Sequence, residues 1–346
     1  MNNIRKVFLL ILCGMSELLL FAQEPEYSVL FRENTALNIR LNISIREVRK
    51  ETNDTTYMEN VYLHYENETS VWDSVQVEIR TRGDFRLKEC FFPPLRVKIR
   101  KKHAKGTLFE GNKALKLVLP CSKSRDNNAL IVKEFLCYKL YEAITPYTFS
   151  TRLVQIDLWD NTGKRPKNYQ LTGFFIEDDD LVADRFNATV KDNLTLHPLA
   201  LHDTSAIRHD LFQYLIANID WSTTYMHNEK IILTTDPLRY IPLTYDFDQS
   251  GFVNASYAVI NPDFGMSNVR DRVYRGFCRK DDRVILYVRD QFIELEPSIL
   301  ATMENYHKML SDKDYASLEK FVGEFFEVMK SDKLFRSEIL DKCRTE

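Results

Sequence analysis

Alternating apolar and polar positions run through the first third of the chain. Leu37–Val48 reads LNIRLNISIREV, Val75–Ile79 reads VQVEI, Leu95–Ile99 reads LRVKI and Leu115–Leu119 reads LKLVL. A period of two residues turns one face of each segment toward a core, which predicts strands. Asn127 and Asn128 then offer a helix cap, and the pattern predicts a helix from about Ala129 to Ala143. Leu153–Trp159 and Leu171–Ile176 read as two further strands around a turn rich in Gly, Lys and Pro. Beyond Glu177 the period changes. Thr204–Asn218 is helical in pattern, with Leu211, Tyr214 and Leu215 on one face, and Arg283–Cys343 reads as several amphipathic helices. Strands with one helix, followed by helices with one hairpin, predict an α+β protein of two lobes. The expected boundary lies near Glu177–Asp180, with a β-rich lobe over 23–177 and a mainly helical lobe over 178–346.

The hairpin is the most informative segment. Lys230–Thr234 and Arg239–Tyr245 are strand-like runs joined by a turn signal at Asp236-Pro237. A hairpin brings its open ends together, so Asn228, just before the first run, is expected beside Asp246, just after the second. Asp220 lies one loop away and Asp248 two residues on. An amide and several carboxylates at one spot suit a hard, oxygen-ligated cation such as Mg²⁺, with Asp220 free to orient or deprotonate a hydroxyl. The plain alternative is that Asn and Asp merely mark turns.

Glu134 stands out upstream. Its neighbours three and four positions away are Leu130, Ile131, Cys137 and Tyr138, so it sits on a helix face that wants burial. A buried carboxylate needs a cationic partner, and Lys116, on the preceding strand, is the expected one. A structural salt bridge is the alternative to a phosphate-gripping pair. Arg82 and Gly83, in the connection Arg80–Arg86, are candidates for phosphate contacts or simply for a basic turn. Arg270, Arg272, Arg275 and Gly276 form a basic patch suited to a phosphorylated or acidic acceptor, or else to a salt-bridged surface helix. His197, His202 and His209 lack the spacing of a zinc motif.

Composition narrows the class. In 346 residues, 47 Lys and Arg balance 50 Asp and Glu, which gives no electrostatic footprint for nucleic acid. Residues 1–22 read as an export signal: Arg5 and Lys6, an apolar stretch, then Ala22 as a cleavage point. Glu17 interrupts the stretch, so a membrane anchor is disfavoured and the mature chain is expected to have no transmembrane segment, with a periplasmic or extracellular location. Cys90, Cys121, Cys137, Cys278 and Cys343 remain after that cleavage. Export permits disulfides, and Cys90 with Cys121 is the expected pair, while Cys137 fits a buried free thiol.

These residues, taken in order, resemble the spore-coat CotH-type protein kinases. The resemblance runs through Arg82-Gly83, the strand lysines, the helix near Glu134, the FFIED segment at 174–178, Asp220 with Asn228, and Tyr245-Asp246-Phe247-Asp248, covering about residues 75–255. It implies an atypical, two-lobed protein-kinase-like fold that transfers the γ-phosphate of ATP to a protein Ser/Thr hydroxyl with Mg or Mn. By the same resemblance, Asp220 looks like the catalytic aspartate and Asp246 like a metal ligand. Lys116 with Glu134 looks like the phosphate-gripping pair, with Lys98 as the rival lysine, and Glu177 falls where a hinge residue would meet adenine. The chain has no G-x-G-x-x-G, His-Arg-Asp or Asp-Phe-Gly string, and Asp220 to Asn228 is longer than an ordinary kinase catalytic loop. An inactive kinase-fold binding protein, and a metal-dependent nucleotide-sugar transferase using the D-x-D of Asp246–Asp248, stay open at this level.

Overall fold

The computed structural model describes residues 27–83, 85–124, 126–192 and 194–345. The expected export signal at 1–22, with Cys13, lies outside them. The strands are β1 (Leu37–Ile43), β2 (Met58–Glu66), β3 (Trp72–Thr81), β4 (Leu95–Lys98), β5 (Ala114–Val118), β6 (Thr151–Asp160), β7 (Lys167–Ile176), β8 (Ala188–Lys191), β9 (Glu229–Thr235) and β10 (Leu238–Thr244). The helices are α1 (Val29–Arg32), α2 (Ile45–Glu51), α3 (Phe85–Glu89), α4 (Lys101–Ala104), α5 (Asp126–Ile144), α6 (Asp179–Arg185), α7 (Asp203–Leu215), α8 (Asp282–Glu304), α9 (Asp312–Lys330) and α10 (Asp332–Glu338).

The first seven strands close into a barrel in the order β1-β2-β3-β4-β5-β7-β6. Closure comes from a parallel pairing of β1 with β6, Leu37 against Val154 through Ile43 against Asp160, while the other barrel pairs are antiparallel. This overturns the expected two-lobed kinase-like fold. The α+β class holds, but the sheet is a closed mixed barrel, because the first strand bonds to a strand over a hundred residues later in the chain.

Period-two alternation fills the barrel. Ile39, Leu41, Leu63, Val77, Ile79, Val97, Leu117, Ile156 and Phe175 are buried in one cluster inside it. Outward-facing residues of β5, β6 and β7 (Val118, Leu153, Phe174 and Ile176) instead join a second cluster with α5, α7, α8 and α9. Helix α5 therefore packs on the outside of the barrel and links it to the helical layer. It begins at Asp126, ahead of the start expected at Ala129. The second half of the Leu37–Val48 run is not strand: Ser44 caps α2, its hydroxyl accepting the Glu47 N–H at 3.2 Å.

A three-stranded antiparallel sheet, β10-β9-β8, carries the expected hairpin, with Thr235 paired to Leu238 and Glu229 to Thr244. Among the described residues, two disulfides staple the chain. Cys90–Cys121 is the expected pair, Cys278–Cys343 was not foreseen, and Cys137 is a buried free thiol. Among the described residues, no helix is long and apolar enough to cross a membrane.

Candidate functional site

The open end of the hairpin meets the connection that leaves β3, and a cleft of about 340 Å³ lies between them. Arg82, Gly83, Arg86, Asp220, His227, Asn228, Tyr245, Asp246 and Asp248 are among its walls. Asn228 and Asp246 flank the last hairpin pair, and the Tyr245 N–H donates to the Asn228 carbonyl at 3.1 Å, so the expected meeting of the two ends occurs. Both residues are left-handed, Asn228 at φ 51° and Asp246 at φ 67°. For a non-glycine residue that conformation costs energy and persists only where the surroundings impose it. Here the Asp246 N–H is held by the buried Tyr138 hydroxyl at 2.9 Å. Gly83 is left-handed as well, at φ 74°, which lets the chain turn sharply from β3 into α3.

Asp220 is fixed from several sides. Its N–H donates to the Asn218 side chain at 3.1 Å. The Asn228 amide donates to both its carbonyl (2.8 Å) and its carboxylate (2.9 Å), and His227 Nε2 lies 2.8 Å from its other carboxylate oxygen. Asn218 in turn donates to Gln213 at 2.9 Å, and Gln213 donates to Thr244 at 2.6 Å. A buried polar network on α7 thus ties the Asp220 loop to the hairpin. Gly251 is required where the chain leaves the site: a Cβ there would stand 2.6 Å from the Val269 carbonyl and 2.9 Å from Ala217.

Glu134 is buried, as its helix face required, but its partner is Arg86 at 2.7 Å, not Lys116. Arg86 also faces Asp248 at 3.0 Å and donates to the Tyr257 hydroxyl at 3.3 Å. Around this one guanidinium stand Glu134, Asp248 and Asp246. Burial raises the Glu134 carboxyl, Arg86 opposes the shift, and Asp248 and Asp246 add to it, for a value of about 8. Asp248 is pushed up to about 6, with burial as the first cause, Arg86 opposing, and Asp246 and Asp220 adding repulsion. Glu134 Oε1 is buried without a hydrogen-bond partner. Several acids thus crowd one guanidinium at the back of the cleft, and the raised values mean that protonation of Glu134 relieves the crowding at neutral pH, a role a divalent cation could share. Among the described residues, no group of three or more His, Cys, Asp or Glu is gathered to hold a metal by itself. An ion here would take Asp246, the Asn228 amide oxygen and oxygens from its ligand, which is how Mg²⁺ is commonly bound.

Other candidates fall elsewhere. Lys116 projects from the outer face of β5, opposite Arg96 on β4, and its ammonium lies 4.8 Å from the Phe149 ring centroid and 4.2 Å from that of Tyr245. Burial first, then Arg82, lowers its pKa to about 7. It is thus beside the cleft but independent of Glu134. Lys98, two register pairs along on β4, bonds Glu78 at 3.0 Å in a separate hollow with Arg100 and His103, which removes it from the site. Glu177 is sealed by Arg185, which donates at 2.7 Å, and by the Ser150 N–H, so its carboxylate is a structural anchor and not an open adenine contact. Arg270 and Arg272 pack on Phe321 and bond Ser317 and the Phe321 carbonyl, in a segment that is not helical. Arg86 and Tyr257 were missed as site residues. The signal for Arg86 was present, since it closes the basic Arg80–Arg86 connection.

Compared with known proteins, the chain matches no protein-family model and no curated protein.

Proposed function

We propose that the cleft transfers the γ-phosphate of ATP to a protein Ser/Thr hydroxyl with Mg²⁺ or Mn²⁺. The observation that carries the reading is the convergence of Asp220, Asn228, Asp246 and Asp248 with Arg82 and Arg86 on one cleft. When bound, the ion supplies positive charge against the nucleotide phosphates, with Asp246 and Asn228 as the residues to hold it. Arg82, beside the Gly83 turn, is the phosphate-facing cation on the barrel side. Asp220, half-exposed and clamped by Asn228 and His227, is placed to orient an acceptor hydroxyl and take its proton. Lys116, next to Tyr245, is a further amine beside the cleft, which an anionic ligand would draw into its charged form. Asp248 is committed to Arg86, so the Asp246–Asp248 string lacks two open carboxylates, which weighs against the nucleotide-sugar transferase reading. The two disulfides support an exported protein, since such bonds persist in oxidising compartments.

Transfer is tested with γ-labelled ATP, Mg²⁺ or Mn²⁺ and a panel of protein acceptors, alongside nucleotide binding by calorimetry. Asp220→Ala is expected to lose transfer and keep nucleotide binding; Asp246→Ala is expected to lose both. Nucleotide binding without any transfer in the parent protein would leave a binding protein instead. No metal-dependent nucleotide binding at all would end the proposal.

A further inference from the structure

The barrel is covered unevenly. Outward residues such as Val118, Phe174 and Ile176 are buried under the helical layer. The outer face of β2, β1 and β6, with the start of β7, is open instead. Its outward positions, among them Asn38, Arg40, Asn42, Tyr62, His64 and Trp159, are exposed, while the alternate residues Ile39, Leu41, Leu63 and Leu158 fill the barrel. Most of this face is polar, yet two of the chain's three Trp residues stand on it. Trp159 is 43% exposed and Tyr62 is 53% exposed. Trp72, on β3, lies beneath the Arg40 guanidinium, 3.8 Å from the ring centroid.

Strand register sets the aromatic residues in one line. Asn42 pairs with Trp159, Trp159 with Asn168, and Tyr62 with Gln76. Arg40 pairs with His64, and the same antiparallel count puts Asn42 opposite Tyr62. Tyr62, Asn42, Trp159 and Asn168 therefore form a row across four strands, with one asparagine between two rings. Neighbouring strands lie about 4.8 Å apart, so the two aromatic residues are about 10 Å apart along that row. Beside the row, Asp157 is a fixed hub. Arg40 approaches it at 3.3 Å, Gln170 donates to it at 2.9 Å, Asn168 donates to it, and the Trp159 side chain bonds it as well. Gln170 also donates to the Asn168 carbonyl oxygen at 2.9 Å. One indole and two amides are thus held in place ahead of any ligand. An amide has two N–H donors and two acceptor lone pairs, so both amides retain capacity for a further partner. The charges are matched within the face: Arg40 pairs with Asp157, and Asn38 donates to Glu66 at 2.8 Å.

We propose that this face binds a neutral polysaccharide chain. A sugar ring has an apolar C–H face that packs on an aromatic ring, and hydroxyls that exchange hydrogen bonds with amides and carboxylates. Tyr62 and Trp159 are spaced to hold alternate rings of an extended chain that crosses the strands, with Asn42 under the ring between them. Charge complementarity selects an uncharged partner, because the face offers no stretch of one sign to a polyanion or a polycation. The binding does not depend on whether the cleft transfers phosphate.

The test is calorimetric titration of the full protein with cellohexaose, xylohexaose and mannohexaose, with the corresponding disaccharides, and with an oligogalacturonate as the anionic control. At least one hexasaccharide is expected to bind. Its disaccharide is expected to bind about tenfold or more weakly, since two sugar rings do not reach both platforms. Trp159→Ala and Tyr62→Ala are each expected to weaken hexasaccharide binding about tenfold or more with the melting temperature unchanged, and Trp159→Tyr to restore most of it. Tyr62→Ala answers the question even where loss of the Trp159 bond to Asp157 disturbs the sheet. Failure of all three hexasaccharides to bind overturns the proposal. So does binding that survives the Tyr62→Ala, Trp159→Ala double variant, or binding of the oligogalacturonate alone. Self-association that is lost in Trp159→Ala, with no glycan bound, assigns the face to a second copy of the chain and overturns it too.

Discussion

Replacing Arg86 with methionine removes the guanidinium that lies between Glu134 and Asp248 while keeping most of the side-chain volume. The two carboxylates are 1% and 4% exposed, so neither recovers its hydration when the cation goes. Deleting one partner of a buried ion pair costs about 3–5 kcal/mol, and here two acids lose the same partner. The cost has a definite pH dependence. With Arg86 present, Glu134 already sits at about 8 and Asp248 at about 6, chiefly from burial. Unfolded carboxyls titrate near ~4. A carboxyl raised in the folded state contributes stability that is fully present below its unfolded pKa and is lost as pH rises through its folded pKa. Without Arg86 both folded values rise further. The loss relative to the parent protein is therefore small near about pH 5, where both acids can stay protonated at little cost, and approaches its full ~3–5 kcal/mol by about pH 9. Urea unfolding of the parent and Arg86→Met proteins across that range measures it. A loss under about 1 kcal/mol, or one that does not change with pH, would refute the claim that Arg86 neutralises a buried acidic cluster.

Three further outcomes follow from the same geometry. Lys116, buried and lowered to about 7, carries stability that is present above its unfolded pKa and is lost as pH falls through about 7. Lys116→Met is accordingly expected to be more stable than the parent protein in acid, by about 2 kcal/mol, and to bind nucleotide more weakly; thermal melts at several pH values and nucleotide titration read both. Removing the Cys278–Cys343 bridge, which closes a separation of 65 residues, is expected to cost about 4 kcal/mol by chain entropy, seen as a lower urea midpoint for the double serine variant. Gly251→Ala forces a Cβ to within 2.6 Å of the Val269 carbonyl, and a lower melting temperature together with weaker nucleotide binding is expected, since the segment leaving Asp246 and Asp248 must shift.

Local structure was largely legible in the sequence, and pairing was not. Alternation located β3 to β7 and the hairpin, because a half-buried strand writes its face directly into the residues. It carried no information about partners, so the parallel contact of β1 with β6 that closes the barrel stayed hidden, and with it the departure from a two-lobed fold. The alternation also misled over Ile45–Val48, where the Ser44 and Glu47 spacing is a helix-start signature that competes with the strand pattern. The site divides the same way. Asn228 and Asp246 meet because a two-ended hairpin leaves no other outcome. Burial of Glu134 followed from its apolar helix neighbours, yet its partner did not: Arg86 arrives from a connection 48 residues away, and Lys116 is turned instead toward two aromatic rings. Glu177 offered no local sign that Arg185 would seal it.

The central claim is that Asp246 and Asn228 hold a divalent ion and its nucleotide at the mouth of the hairpin. Calorimetric titration of ATP into the protein, with and without Mn²⁺, tests it most directly. The account predicts binding that needs the metal, is lost in Asp246→Ala and survives in Asp220→Ala. Binding that is indifferent to metal, or unchanged by Asp246→Ala, would contradict it.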